Sequence, residues 1–129
     1  MKNDNTYSAE ILFTSRSLTT KEKIKYKRVM DSRKLDDESR AEDIQIELDV
    51  AISLSIHNEK AENKDYTRYI LVATDGTVYT TGSESFWSAF MDIYTELEEA
   101  NELDNIVLKV LRIPSKNYTG RDFLSCELV

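Results

Sequence analysis

The chain has 129 residues, 40% of them apolar, with 24 acidic and 17 basic side chains and a formal net charge of −7. That length suits one modest core and is too short to promise two, while one proline and three glycines fit an ordered globular chain and not a linker or disordered tail. No apolar run approaches the roughly 20 residues that span a bilayer, and the opening MKNDNTYSAE lacks the basic and apolar segments of a signal peptide, so the expectation is one soluble, cytoplasmic domain over 1–129 with no membrane contact.

In chain order, EILFTS (10–15) is a short apolar run, and EKIKYKRVM (22–30) sets Ile24 and Tyr26 at alternate positions among Lys23, Lys25 and Lys27. The pair predicts a β-hairpin extension over 1–35 with one cationic face. Eight basic residues between Arg16 and Lys34 meet two acids, a balance of +6, so the remainder of the chain carries −13. DDESRAEDIQ (36–45) is acidic and aperiodic and reads as a loop before the main body, 46–129.

IELDVAISLSIH (46–57) alternates, with Leu48, Val50, Ile52, Leu54 and Ile56 on one face of a long strand and His57 as a polar residue at its end. After a polar loop, YTRYILVAT (66–74) is β-branched and aromatic. Asp75-Gly76 then supplies the positive φ angles of a tight two-residue turn into TVYTT. Past Gly82 the period becomes about 3.6: Ser83 caps a helix with Glu84 in its first turn, Phe86, Phe90 and Leu97 line its inner stripe, Trp87 packs beside them, and the glutamates stay wet. IVLKVLRI (106–113) and DFLSCELV (122–129) are the last two strands, with Cys126 as a small core side chain and not a reactive thiol.

Five strands with one helix between the third and fourth follow the order of an OB-fold, a small, partly open β-barrel. The fold class expected is therefore mainly β: a five-stranded OB-fold barrel plus the N-terminal hairpin.

Ala73, Asp75, Gly76 and Tyr79 in the hairpin, and Ser115, Lys116, Gly120, Phe123, Ser125 and Leu128 in the last loop and strand, stand in an order that resembles the small OB-fold single-stranded-DNA-binding proteins of phages, particularly the protein-primed Bacillus phages. The resemblance runs from about Leu48 to the C-terminus. It implies a phage replication protein that coats displaced single strands without catalysis or cofactor. Many bacterial proteins of this function recruit partners through a glycine-rich acidic tail, and here Val129 ends the last strand instead.

Sequence-tolerant binding of single strands needs cations for phosphates and aromatic faces for bases. OB-folds place them around strands two and three and the loops joining strands one to two and four to five. Those elements hold Lys60, Lys64, Tyr66, Arg68, Tyr79, Arg112, Lys116, Tyr118, Arg121 and Phe123, an acidic protein's remaining cations gathered where this fold takes its ligand. Lys25, Lys27 and Arg28 of the basic hairpin join them as phosphate contacts or as a homo-oligomer contact, although lysines on an edge strand also serve simply to discourage aggregation.

With one histidine, one cysteine, no glycine-rich phosphate loop and no HxH, HExxH or CxxC spacing, no catalytic residue, metal, cofactor or small-molecule substrate is expected. The rival reading is an acidic DNA mimic, with the acids of 36–49 and 84–104 imitating phosphates to inhibit a host DNA-binding protein or nuclease; an assembly adaptor is a third.

Overall fold

The longest strand organises the sheet. In the computed structural model, which describes residues 7–28, 32–117 and 119–129, β3 (Gln45–Asn58) pairs antiparallel along most of its length with β4 (Asp65–Ala73). Its other edge is shared by two strands: β1 (Tyr7–Thr14) takes the C-terminal half and β6 (Val107–Pro114) the N-terminal end. β5 (Val78–Thr81) continues outward from β4, and β7 (Asp122–Leu128) from β6. The result is a seven-stranded sheet of order β2-β5-β4-β3-β6-β7, with β1 off that path and β2 being Arg33–Lys34. It curls into a half-barrel accompanied by three helices: α1 (Thr20–Lys27), α2 (Leu35–Ala41) and α3 (Glu84–Glu99).

Both faces of β3 are covered in mid-strand. On one face Ile46, Ala51, Leu71, Phe86, Phe90 and Leu108 belong to a core closed by α3. On the other, Val50, Ile52, Leu54, Ile56, Ile70 and Val72 form a second core with Tyr26 of α1. A β-bulge between Leu48 and Val50 makes the switch, so Leu48 packs with the first core and not, as alternation predicts, beside Val50. Trp87 is packing, as expected: it stacks on Tyr69 at 4.7 Å and meets Phe13 edge-on at 5.8 Å. Cys126 is buried, and burial pushes its thiol up to about 12, which makes it unreactive at neutral pH.

The local signals around α3 read correctly. Ser83 Oγ accepts from the Phe86 amide at 3.1 Å, Phe86, Phe90 and Tyr94 are buried, and Asn101 at φ +56° ends the helix in the left-handed conformation. The β4–β5 turn differs from expectation. Gly76 alone has positive φ (+92°), its N–H donates to the Ala73 carbonyl at 2.9 Å, and Ala73 N–H donates to the Thr77 carbonyl. This is a three-residue loop ending in a glycine bulge, not a two-residue turn.

The N-terminal segment corrects the hairpin. Residues 20–27 are helical because Thr19 and Glu22 form a capping box: Thr19 Oγ1 accepts from the Glu22 amide at 3.2 Å, and the Glu22 carboxylate accepts from the Thr19 amide at 2.9 Å. Arg16 clamps the same carboxylate at 2.8 Å and Asp49 at 2.9 Å, and holds Glu22 down at about 2. Ile24 is 65% exposed and Tyr26 5%, so the lysine-flanked alternation marks a helix with one anchor and not a strand with one apolar face. Residues 36–41 likewise lie in α2 and not in a loop, with Asp36, Asp37 and Glu38 in its first turn, where the helix dipole favours acids, and Leu35 fully buried.

These elements are part of the body. β1 pairs with β3 over Tyr7–Thr14, β2 adds in parallel to β5, and α2 fills the space between β5 and β6. Thr81 Oγ1 donates to Asp36 Oδ1 at 2.7 Å, while Arg112 donates to the Asp36 carbonyl at 3.1 Å and to Ser39 Oγ at 2.8 Å. Replacing Leu35 by Ala should therefore cost about 2–5 kcal/mol in urea unfolding, as for a core leucine, whereas Leu12→Ala, at a position 58% exposed, should stay within about 0.5 kcal/mol.

Candidate nucleic-acid interface

On the face of β4 that carries the second core, the apolar run Ile70–Val72 gives way toward the strand start to Arg68 and Tyr66. Beyond the reach of Tyr26 the sheet is left partly open there, and a concavity of about 360 Å³ forms. Six segments line it: Tyr7 opening β1, Arg28 closing α1, Ser32 and Lys34 at β2, Asn58 ending β3, Tyr66 and Arg68 of β4, and Thr80 of β5. Three cations and two phenols therefore converge, and no carboxylate stands among the described lining residues.

Each aromatic ring carries a guanidinium, with Arg28 over Tyr7 at 5.4 Å and Arg68 over Tyr66 at 5.9 Å. Tyr7 is held in place by its hydroxyl, which donates to the Lys27 carbonyl at 2.8 Å, and burial raises its pKa above the usual phenol value. Ser32 and Thr80 share a 3.1 Å hydrogen bond that ties the β2 approach to β5. The cleft continues past Thr80 into a second concavity where Asp36 and Asp37 join Lys34 and Arg68, so its electrostatic character changes along its length. Planar guanidinium groups suit bidentate phosphate contacts, and half-buried phenol rings suit stacking with bases.

Of the residues singled out from the sequence, Arg28, Tyr66 and Arg68 come together here. Lys25 lies over the Tyr26 ring at 5.5 Å, and Lys27 contributes its carbonyl to the Tyr7 bond. Lys60 and Lys64 are exposed on the β3–β4 loop next to the cleft, Lys64 paired with Glu59 at 3.1 Å. Tyr79 is buried in the first core, on the sheet face opposite Thr80. Arg112 forms a fork with Asp122 at 2.5 and 3.0 Å, which holds that carboxyl below the usual range, and so clasps β6, β7 and α2. Lys116 and Arg121 stand on the β6–β7 loop and the 43%-exposed Phe123 at the start of β7, and none of the three lines the cleft. Tyr118 lies outside the described residues.

The sequence reading missed Tyr7 and Lys34 as lining residues. The phase of Tyr7, Ala9 and Ile11 was a usable signal, since all three point to the second core. His57 is more than an edge residue: its Nδ1 is bonded to Asp65 at 2.7 Å and its Nε2 to Glu59, two acceptors that require both ring nitrogens to donate. Asp65 first, then Glu59, raises its pKa, and the cation staples the loop that carries Lys60 and Lys64.

A family model described as phage single-stranded DNA-binding protein, of the Phi29 type, matches residues 6–129. No curated protein and no solved structure matches the chain.

The His57 staple sets a pH dependence. A raised folded pKa means that its contribution to stability is complete below the unfolded value of about 6.5 and is lost as pH rises through the folded value. NMR titration of the imidazole should give a midpoint above about 6.5, and Asp65→Asn should move it back down further than Glu59→Gln does. A midpoint unmoved by Asp65→Asn would show that the carboxylate does not hold the ring.

Proposed function

This chain belongs to the family of phage single-stranded DNA-binding proteins, and on that premise we propose that it coats displaced single strands during phage replication, without catalysis, in the host cytoplasm. The binding surface in this reading is the cleft between α1 and β4, and the whole chain works as one domain around it. A single observation carries the reading: Arg28, Lys34 and Arg68 converge with Tyr7 and Tyr66 on one concavity whose described lining holds no acid. Phosphates would lie against the cations and bases against the rings, at roughly 1–3 kcal/mol for each stacked base.

The strand order β5-β4-β3-β6-β7, with α3 between β5 and β6, supports an OB-like plan for this part of the chain. In that plan the cleft lies on strands two and three, and the loop carrying Lys60 and Lys64 flanks it. The second sheet edge is where this protein departs from closure: β5 takes β2 as its neighbour, and α2 bridges to β6. The acids spread over the remaining surface keep a protein of net charge −7 from adhering to its own complexes.

Titrating oligo-dT against tyrosine fluorescence should give saturable quenching and an affinity that falls as salt rises. Arg68→Ala should flatten the plot of log affinity against log salt by about 0.7, the value for one phosphate contact on a single strand. Tyr66→Ala should cost roughly 1–3 kcal/mol with the salt slope kept. The double variant Lys116→Ala, Arg121→Ala tests the β6–β7 loop separately: unaltered affinity would confine the path to the cleft. An oligo-dT titration without any signal at low salt would favour the inhibitor reading over strand binding.

A further inference from the structure

The same cleft has the size and charge of something smaller than a strand. We infer that it is a single-nucleotide pocket that also takes a free nucleoside triphosphate, in competition with polynucleotide. This rests on the strand-binding reading of the cleft and adds a ligand class to it.

Volume is the first ground. Small-ligand clefts run from about 300 to 1,000 Å³, and at about 360 Å³ this one has room for a single base with its sugar and phosphates. Charge convergence is the second. A track for a polymer spreads its cations so that each meets one singly charged phosphodiester. Here Arg28, Lys34 and Arg68, from the end of α1, β2 and β4, line one concavity whose described lining holds no carboxylate, Asp36 and Asp37 joining Lys34 and Arg68 only where the cleft continues past Thr80. One internal diester leaves that charge under-neutralised, whereas a triphosphate matches it: two guanidinium forks and one ammonium present donors to several terminal oxygens.

Aromatic geometry is the third ground. Tyr66 lines the pocket with the Arg68 guanidinium over its ring at 5.9 Å, so a base that stacks against this pair brings its own phosphates close to the guanidinium. On either side of β4 the lining is fixed by bonds that do not involve ligand, namely the Tyr7 hydroxyl to the Lys27 carbonyl and Ser32 to Thr80. A preorganised wall lowers the ordering cost of binding a small molecule.

The experiment is competition. Fluorescent oligo-dT is bound to the full chain in metal-free buffer and challenged with dTTP, thymidine or inorganic tripolyphosphate, each at matched ionic strength. The expected result is saturable displacement by dTTP, none by thymidine, and markedly weaker displacement by tripolyphosphate. Direct calorimetry with dTTP should show an affinity reduced about tenfold or more in Arg68→Ala, the size of one lost charge-assisted contact. Magnesium should weaken dTTP by neutralising its phosphates. The wild-type competition needs no variant, so a misfolded substitution cannot decide the outcome. If oligo-dT binds and responds to Arg68→Ala but millimolar dTTP displaces none of it, the inference falls and the strand-binding reading stands. If tripolyphosphate competes as well as dTTP, the pocket is a plain anion patch and the inference falls too. If oligo-dT affinity ignores Arg68→Ala, both fall together.

Discussion

The structure depends on one constraint: β3 is buried on both faces over Val50–Leu54, so neither side of the sheet is left to water there. Val50, Ile52, Leu54 and Ile56 on one side and Ile46 and Ala51 on the other are all at most 1% exposed. An amphipathic helix covers one side, as five strands and a helix would suggest. The other side needs a second cover, and the N-terminal segment provides it through Tyr26, Leu18 and the inward face of β1. The cleft exists because that cover stops short. Past Tyr26, β4 changes from Ile70 to Arg68 and Tyr66, and the concavity lies there. Core and cleft are thus successive stretches of one strand face.

Charge follows the same logic. Several cations are committed internally: Arg16 to Glu22 and Asp49, Arg33 to Glu38, Lys64 to Glu59, Arg112 to Asp122. The cleft instead brings three cations together without a described acid in its wall. Net charge is a poor guide to a partner for this protein, because −7 is a sum over surfaces that do different things.

Much of this was legible residue by residue. The long alternation of β3, the Asp75-Gly76 turn site and the Ser83 cap rest on local chemistry that outlives folding, and each falls within a residue or two of its expected place. Two kinds of signal misled. Ile24 and Tyr26 among lysines mimic a period of two, yet Thr19-x-x-Glu22 upstream is a capping box and outweighs it. The acids of 36–38 read as loop because α2 is stabilised by the burial of Leu35 and by its dipole, and only the former depends on tertiary contacts. In the cleft, Tyr66 and Arg68 share a strand face and could be paired from spacing alone. Tyr79 could not be sorted from Thr80, because a four-residue strand buried on both faces has no polar side to set the phase. Tyr7 and Lys34 reach the cleft only through the pairing of β1 with β3 and of β2 with β5, contacts between segments far apart in the chain.

The stacking of Trp87 on Tyr69, with ring planes 10° apart, has an optical corollary. Excitation absorbed by that phenol passes to the indole, whose emission then reports on the interior packed under α3. Tyr7 and Tyr66 stand with the second core on the other face of the sheet. The single indole of the chain is therefore a built-in reporter on the packing of its interior.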